Sequence, residues 1–190
     1  MQKTGKDYMV FPLDFASRKE AESFVRILDG HVGMFKIGLE LFIGQGPCVV
    51  EMIRELSDAK IFLDLKLHDI STTVKRSMEQ VASLGVDLVT AHCASARMLE
   101  MAVEGGRGQT GVLGVTLLTD NDSRTVEAGG FKEQFVKDPN ELVLVRARMA
   151  AASGCAGVVC SGREAAQIKQ DFDRYFLAVA PGIRPEWSLL

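Results

Sequence analysis

The chain has 190 residues, of which 47% are hydrophobic and 25% are charged, and its formal net charge is −3. This length and composition predict a single globular domain over residues 1–190. Lysine and arginine are scattered, and no apolar run reaches the roughly 18 residues of a membrane span, so neither nucleic acid nor a membrane is expected as a partner. The polar amino terminus lacks the apolar segment of a secretory signal, which favours a cytoplasmic protein.

Short β-rich runs alternate with segments of helical periodicity, a pattern typical of repeated βα units around a parallel sheet. The predicted strands are mostly near-continuous apolar runs, as expected when both faces are covered. They span residues 8–15, 34–39, 60–66, 86–92, 111–118, 157–161 and 175–182. The predicted helices span residues 17–29, 45–58, 71–84, 95–105, 140–153 and 163–171. The long connection TDNDSRTVEAGGFKEQFVKDPN, after the fifth strand, is expected to hold a short helix of its own.

Seven strands of this type without an internal linker favour one domain. A doubly wound sheet would place a Gly-rich G-x-G-x-x-G turn after its first strand, whereas this chain reads LDFASRKEA there. The predicted fold class is therefore α/β, a (β/α)8 TIM barrel. Because such a barrel has eight strands, the chain is expected to be truncated after strand 7, with the eighth strand missing from the given sequence.

Several residues that could carry chemistry have a simpler structural interpretation. The cysteines Cys48, Cys93, Cys155 and Cys160 lie in apolar segments without C-x-x-C spacing, so we expect reduced core thiols rather than disulfides or a metal site. His92, at the end of the fourth strand, is interpreted as a hydrogen-bonded core histidine.

Ionisable residues gather at the carboxyl ends of the first three predicted strands, where a parallel barrel places its active site. Asp14 ends the first strand and Lys36 lies in the second. Asp64 and Lys66 are two residues apart in the third strand, hence on one face of it, and Asp69 follows. Since consecutive βα strands usually neighbour one another, these groups are expected to converge as an alternating array of cations and carboxylates.

Such an array has a structural and a functional interpretation. Exposed ion pairs contribute only about 0–1 kcal/mol, so a surface network would need little explanation. Desolvating an ion costs several kcal/mol, so a buried array is tolerable only when every charge has its partner. Even then, the array is weak evidence that it stabilises the fold. We therefore favour a functional role.

The array also indicates a kind of chemistry. A lysine between two carboxylates is stabilised as the ammonium, which suits proton delivery better than attack on a carbonyl. This argues against a Schiff-base aldolase. A carboxylate fixed beside an anionic substrate repels it, and the repulsion is relieved when the substrate loses its negative group as a neutral molecule. The pattern thus predicts decarboxylation, with the lysine quenching the carbanion.

Longer motifs resemble orotidine 5′-phosphate decarboxylases of the bacterial type. They are DLKLHDISTT (64–73), FKIGLELF (35–42) and PGIRP (181–185). LDFAS, VTAHCASARML, GVTLLTD and GVVCSGREA also lie in the family's order and spacing, so the resemblance covers nearly the whole chain. It implies cofactor-free conversion of orotidine 5′-phosphate to UMP and carbon dioxide, in pyrimidine biosynthesis, by a homodimeric TIM barrel.

The resemblance implies roles for the residues of the array. Lys66 would donate the proton to C6 of the pyrimidine, and Asp64 would lie beside the substrate carboxylate. Lys36 and Asp14 would bind the ribose hydroxyls and complete the charge network. No metal is expected.

Other residues obtain roles by the same resemblance. Asp69 and Thr73 would reach across the dimer and complete the neighbouring site. Thr119 would contact the pyrimidine. Arg184 would bind the phosphate group, for which a planar guanidinium is well suited.

The chain departs from the family's pattern in three places. Pro12 stands where alanine is usual, and proline lacks the backbone N–H that would donate a hydrogen bond to a neighbouring strand. Asp120 replaces a common serine and adds negative charge near the pyrimidine. The family has a phosphate-gripping loop and an eighth strand ending in Gly-Arg, where this sequence ends at EWSLL. Incomplete folding or slow turnover is therefore expected, because remote phosphate binding energy is used at the transition state.

Two alternative functions remain open. Mg-dependent sugar-phosphate decarboxylases and synthases of the same superfamily share D-x-K-x-x-D, but bind magnesium with a strand-two glutamate. Here that position is Lys36, whose ammonium would repel the ion. The other alternative is a catalytically silent nucleotide-binding barrel, which only the missing strand supports.

Overall fold

The computed structural model describes residues 4–118 and 120–184, which form a parallel β-sheet with helices packed on it. Its strands are β1 (Val10–Leu13), β2 (Met34–Ile37), β3 (Lys60–Leu67), β4 (Leu88–His92), β5 (Gly111–Val115), β6 (Gly157–Val159) and β7 (Leu177–Val179). Its helices are α1 (Arg18–Leu28), α2 (Leu39–Gln45), α3 (Cys48–Leu56), α4 (Ser71–Ser83), α5 (Ala96–Gly105), α6 (Ser123–Ala128), α7 (Glu133–Lys137), α8 (Pro139–Ala152) and α9 (Gly162–Asp171). The strands pair in chain order from β1 to β7, and each neighbouring pair is parallel.

All seven predicted strands are confirmed among the described residues, mostly with shorter ends. The predicted helix 45–58 is wrong at its start, because the structure has α2 and α3 there. Gly46, with φ of +70°, and Pro47 separate them, since a left-handed glycine ends a helix and proline cannot continue it. The long connection contains two short helices, α6 and α7, rather than one.

Side-chain caps begin several of the helices that cover the sheet. The Ser17 hydroxyl accepts a backbone N–H at the start of α1, and the Asp138 carboxylate does so at the start of α8. Ser161 and Glu164 form the capping box that their spacing predicts at the start of α9. These caps set where each of the three helices begins.

Apolar residues pack on both faces of the sheet, as the near-continuous hydrophobic strands predict. The larger core lies between the sheet and the helices. On the opposite face, Phe62, Leu88 and Leu113 form a second cluster, and the partly buried Val159 and Val179 pack against it. Because side chains from β3 to β7 pack on this one inner cluster, the sheet curls around it as a barrel wall does.

Pro12 lies in β1, opposite Lys36 of β2 in the sheet register. Among the described strands, β1 pairs with β2 alone. An edge strand is the position at which a sheet accommodates a residue without an N–H group. The proline is therefore compatible with the sheet described here.

The cysteines are free thiols, as predicted. Burial raises the pKa of Cys93 and Cys155 to about 12 and that of Cys160 to about 11, whereas Cys48 is only half-buried. The three buried thiols are thus protonated and unreactive at neutral pH. None of the described helices is long and apolar enough to cross a membrane.

Candidate active site

A cavity of about 520 Å³ lies inside the curl of the sheet, within the range that holds small-molecule ligands. Its apolar wall consists of inward-facing residues of β1, β3, β5, β6 and β7, and of the segments that follow β5 and β7. Its charged wall is formed by Asp14, Lys36, Asp64, Lys66 and Arg184. The cavity therefore combines an apolar floor with charge at the carboxyl ends of the strands, as an active site in a parallel barrel does.

Asp14, Lys36, Asp64 and Lys66, here called the charge cluster, are in direct contact. Lys36 Nζ lies 3.0 Å from Asp14 Oδ1 and 3.8 Å from Asp64 Oδ2. Lys66 Nζ lies 2.8 Å from the same Oδ2 atom of Asp64. The structure thus brings these residues together in the alternating order that the sequence predicts, with Asp64 shared by both lysines.

Asp64 is the most shielded member of the charge cluster. Its side chain is 15% exposed, compared with 64% for Asp14 at the other end. At an effective dielectric constant near 20, opposite charges about 4 Å apart attract by about 4 kcal/mol, which is similar to the cost of desolvating one ion. Two cations and two anions balance, so removing any single member leaves an uncompensated charge.

A bulge in β3 places the two central residues of the charge cluster. Leu63 pairs with Val89 and Leu67 with Ala91, so residues 64–66 lie opposite Thr90 alone. Within this bulge Lys66 has a φ of +51°, a left-handed conformation that costs a non-glycine residue about 1 kcal/mol. The Thr90 hydroxyl contacts both ends of the bulge, since it donates to Asp64 Oδ1 (2.8 Å) and accepts from the Lys66 N–H (2.9 Å).

Gly38, which follows β2, leaves room for the outer ion pair. A Cβ atom at this position would lie 3.2 Å from both Asp14 Oδ1 and Lys36 Nζ. That approach is tighter than ordinary van der Waals contact, so a larger residue would require these side chains to shift by a few tenths of an ångström. The glycine in the FKIGLELF motif therefore has a local steric explanation.

Other predicted site residues are not part of the charge cluster. Arg184 is exposed and lines the cavity. Asp69 is exposed and Thr73 half-buried, and neither lines the cavity of its own chain. Asp69 Oδ1 accepts the backbone N–H of Ile70 at 2.7 Å. Thr119 lies outside the described residues.

A pair of imidazoles lies beside the charge cluster, which sequence patterns alone did not indicate. The ring of His92, at the end of β4, is 5.3 Å from that of His68. Burial lowers the pKa of His92, and electrostatic interactions with His68, Arg146 and Lys66 act in the same direction, whereas Asp64 acts against them. His92 is half-buried beside this group, and thus less enclosed than the core histidine predicted from sequence.

Replacing His92 with glutamine should flatten the pH dependence of stability in the acid range. In the unfolded chain a histidine takes up its proton near pH 6.5, whereas folded His92 does so only at lower pH. The stability due to neutral His92 is therefore complete above about pH 6.5 and is lost as the pH falls below it. Measured by urea unfolding, the free energy of unfolding should rise less steeply between about pH 5 and about pH 7.5 in H92Q than in wild type. An equal flattening in H31Q, which alters an exposed histidine, would contradict this expectation.

Comparisons with known proteins identify the family. A sequence model of the "Orotidine 5'-phosphate decarboxylase / HUMPS family" matches residues 7–189. The chain belongs to this family. The orotidine 5′-phosphate decarboxylase of Desulfosudis oleivorans is 46% identical over 187 residues, which are 97% of this chain and 75% of that protein. That of Geobacillus thermodenitrificans is 42% identical over 184 residues, 92% of this chain and 75% of that protein.

The fold agrees with this family assignment. The crystal structure of orotidine 5′-phosphate decarboxylase from Lactobacillus acidophilus matches with a TM-score of 0.82 at 31% identity, over 93% of this chain and 81% of that one. The predicted α/β barrel class is therefore confirmed. The motifs of the charge cluster lie within the residues that match the family.

Proposed function

We propose that this chain converts orotidine 5′-phosphate to UMP and carbon dioxide, a step of pyrimidine biosynthesis, without a metal or organic cofactor. The observation that carries the proposal is the Lys66 ammonium, held 2.8 Å from Asp64 at the wall of the cavity. Curated relatives with the same activity in their names, at 42–46% identity, support it.

In the proposed reaction the substrate carboxylate lies beside Asp64. The bond between C6 and that carboxylate breaks, carbon dioxide leaves, and the electron pair remains on C6. The Lys66 ammonium then transfers a proton to C6, and the lysine regains a proton from solvent. Carbon dioxide leaves as a neutral molecule, so its loss removes the repulsion between the substrate carboxylate and Asp64. This repulsion acts in the ground state and is absent from the product.

The position of Lys36 favours this reaction over the Mg-dependent alternative. Its ammonium lies 3.0 Å from Asp14 Oδ1 and 3.8 Å from Asp64 Oδ2, at the position where the Mg-dependent enzymes have a glutamate. A fixed cation between these oxygens repels a divalent metal, which requires oxygen ligands. We assign Lys36 and Asp14 to the ribose hydroxyls instead.

Turnover in the presence of a chelator tests the proposal. The ultraviolet absorbance change on adding orotidine 5′-phosphate to the purified chain should continue unchanged in EDTA. Activity that is lost in EDTA and restored by magnesium would contradict a metal-free reaction. Binding of UMP without any turnover would favour the silent nucleotide-binding barrel.

Arg184 is proposed to bind the substrate phosphate. We expect R184A to raise KM for orotidine 5′-phosphate by about 10- to 100-fold, because a charge-assisted, bidentate contact to phosphate is lost. Turnover of orotidine, which lacks the phosphate, should change much less. Steady-state kinetics on both substrates measures this, with R97A, an exposed arginine of α5, as the control. Equal losses on the two substrates would contradict the assignment.

We also propose that the enzyme is a cytoplasmic homodimer in which Asp69 and Thr73 complete the neighbouring site. Both residues lie just after β3, next to the charge cluster in the chain but outside its own cavity. This placement supports a role in a second copy. The pyrimidine contact assigned to Thr119 is likewise part of the proposal.

A further inference from the structure

Thr90 is a buried polar residue without an assigned role. It lies in the middle of β4, its exposed fraction is 0%, and Val89 and Ala91 on either side are also fully buried. A β-branched residue fits a strand interior, and valine would have the same shape. What valine lacks is the hydroxyl, so the two contacts of that group require an explanation.

The Thr90 hydroxyl joins two parts of the charge cluster. An ionised carboxylate accepts hydrogen bonds and does not donate, so the single Thr90 proton is directed to Asp64 Oδ1 at 2.8 Å. A lone pair on the same oxygen receives the Lys66 N–H at 2.9 Å. One atom thereby contacts the side chain of one charged residue and the backbone of the other.

The first contact orients the Asp64 carboxylate. With Oδ1 held by Thr90, Oδ2 is the atom that lies 2.8 Å from Lys66 Nζ and 3.8 Å from Lys36 Nζ. Rotation of the carboxylate would break the Thr90 bond together with these two contacts. The hydroxyl thus fixes the orientation of the carboxylate, with one oxygen on Thr90 and the other facing the two ammonium groups.

The second contact stabilises the backbone from which Lys66 projects. Residues 64–66 bulge out of the ladder, and Lys66 has a left-handed φ of +51°. A shielded N–H group in a bulge needs a partner in place of the missing ladder bond. The Thr90 side chain supplies it and so holds the bulge that directs Lys66 toward the cavity.

We propose that Thr90 is a positioning residue for proton transfer, which acts by holding Asp64 and the backbone of Lys66 with one hydroxyl. This inference rests on the proposed decarboxylase function. It assigns Thr90 no contact with substrate. Its effect should therefore appear in kcat, while substrate affinity changes little.

Kinetics of T90V and T90S test the inference. We expect T90V to lower kcat by about 10²-fold with KM nearly unchanged, because displacement of a reacting group by about 1 Å has that effect. T90S, which keeps the hydroxyl, should restore most of the activity. T110V is the matched control, since Thr110 is also buried and its hydroxyl donates to the Val86 carbonyl at 2.8 Å, away from the cavity.

A second measurement separates this inference from the function on which it rests. Amide hydrogen exchange at the Lys66 N–H should be slow in wild type, T90S and T110V, and at least about tenfold faster in T90V. Absence of turnover in wild-type protein that the same exchange measurement shows to be folded, at saturating orotidine 5′-phosphate, would reject the proposed function. Equal kcat in T90V and T110V, a T90S variant as slow as T90V, or unchanged exchange at Lys66 in T90V would overturn the role of Thr90.

Discussion

Replacing Lys66 with alanine is expected to lower kcat/KM for orotidine 5′-phosphate by about 10³-fold or more. The variant lacks the ammonium proposed to donate the proton to C6, and positioned general acids contribute about 10²- to 10⁴-fold. It also leaves Asp64 without its nearest cation, which in the wild type lies at 2.8 Å. Both effects act on the same step, so the loss should lie toward the upper end of that range.

The fold should tolerate this change. Lys66 is partly exposed, and alanine also carries a Cβ, so the left-handed backbone costs about as much in the variant as in the wild type. Initial rates by ultraviolet absorbance, together with urea unfolding, separate catalysis from folding. K60A is the matched control, because Lys60 is exposed at the opposite end of the same strand. Retention of a tenth or more of wild-type turnover in K66A would contradict the proposed proton donor.

Replacing Asp64 with asparagine is expected to lower kcat by about 10²- to 10³-fold while KM stays the same or falls. Asparagine keeps the shape of the side chain and removes the charge that, in the proposed mechanism, repels the substrate carboxylate. The ground state therefore binds as well or better, and the relief of repulsion on loss of carbon dioxide disappears. This separation of kcat from KM distinguishes charge repulsion from a simple binding role.

Stability should also change in D64N. Lys36 and Lys66 lose their shared carboxylate in a shielded position, so the free energy of unfolding should fall by about 1–3 kcal/mol. D58N alters an exposed residue in the loop before β3, and this control should change neither kcat nor the free energy of unfolding. A raised KM with kcat preserved would show that Asp64 binds substrate instead of destabilising it.

The sequence alone determined most of the fold and the composition of the charge cluster. Apolar runs of strand length and periodic helices are local signals, and Asp64 and Lys66 share a face because side chains alternate along a strand. The convergence of Asp14 and Lys36 on them followed from the rule that consecutive βα strands neighbour one another. Family motifs in the sequence indicated the reaction.

Only the tertiary structure decided how those charges are arranged. That Asp64 is shared by two lysines, and that a bulge gives Lys66 a left-handed backbone, depends on the register between β3 and β4. Thr90 has no local signal of function, because a threonine in a strand is ordinary. Its role depends on residues 24 and 26 positions earlier in the chain. Such contacts arise from packing between strands, which residue type and local periodicity do not encode.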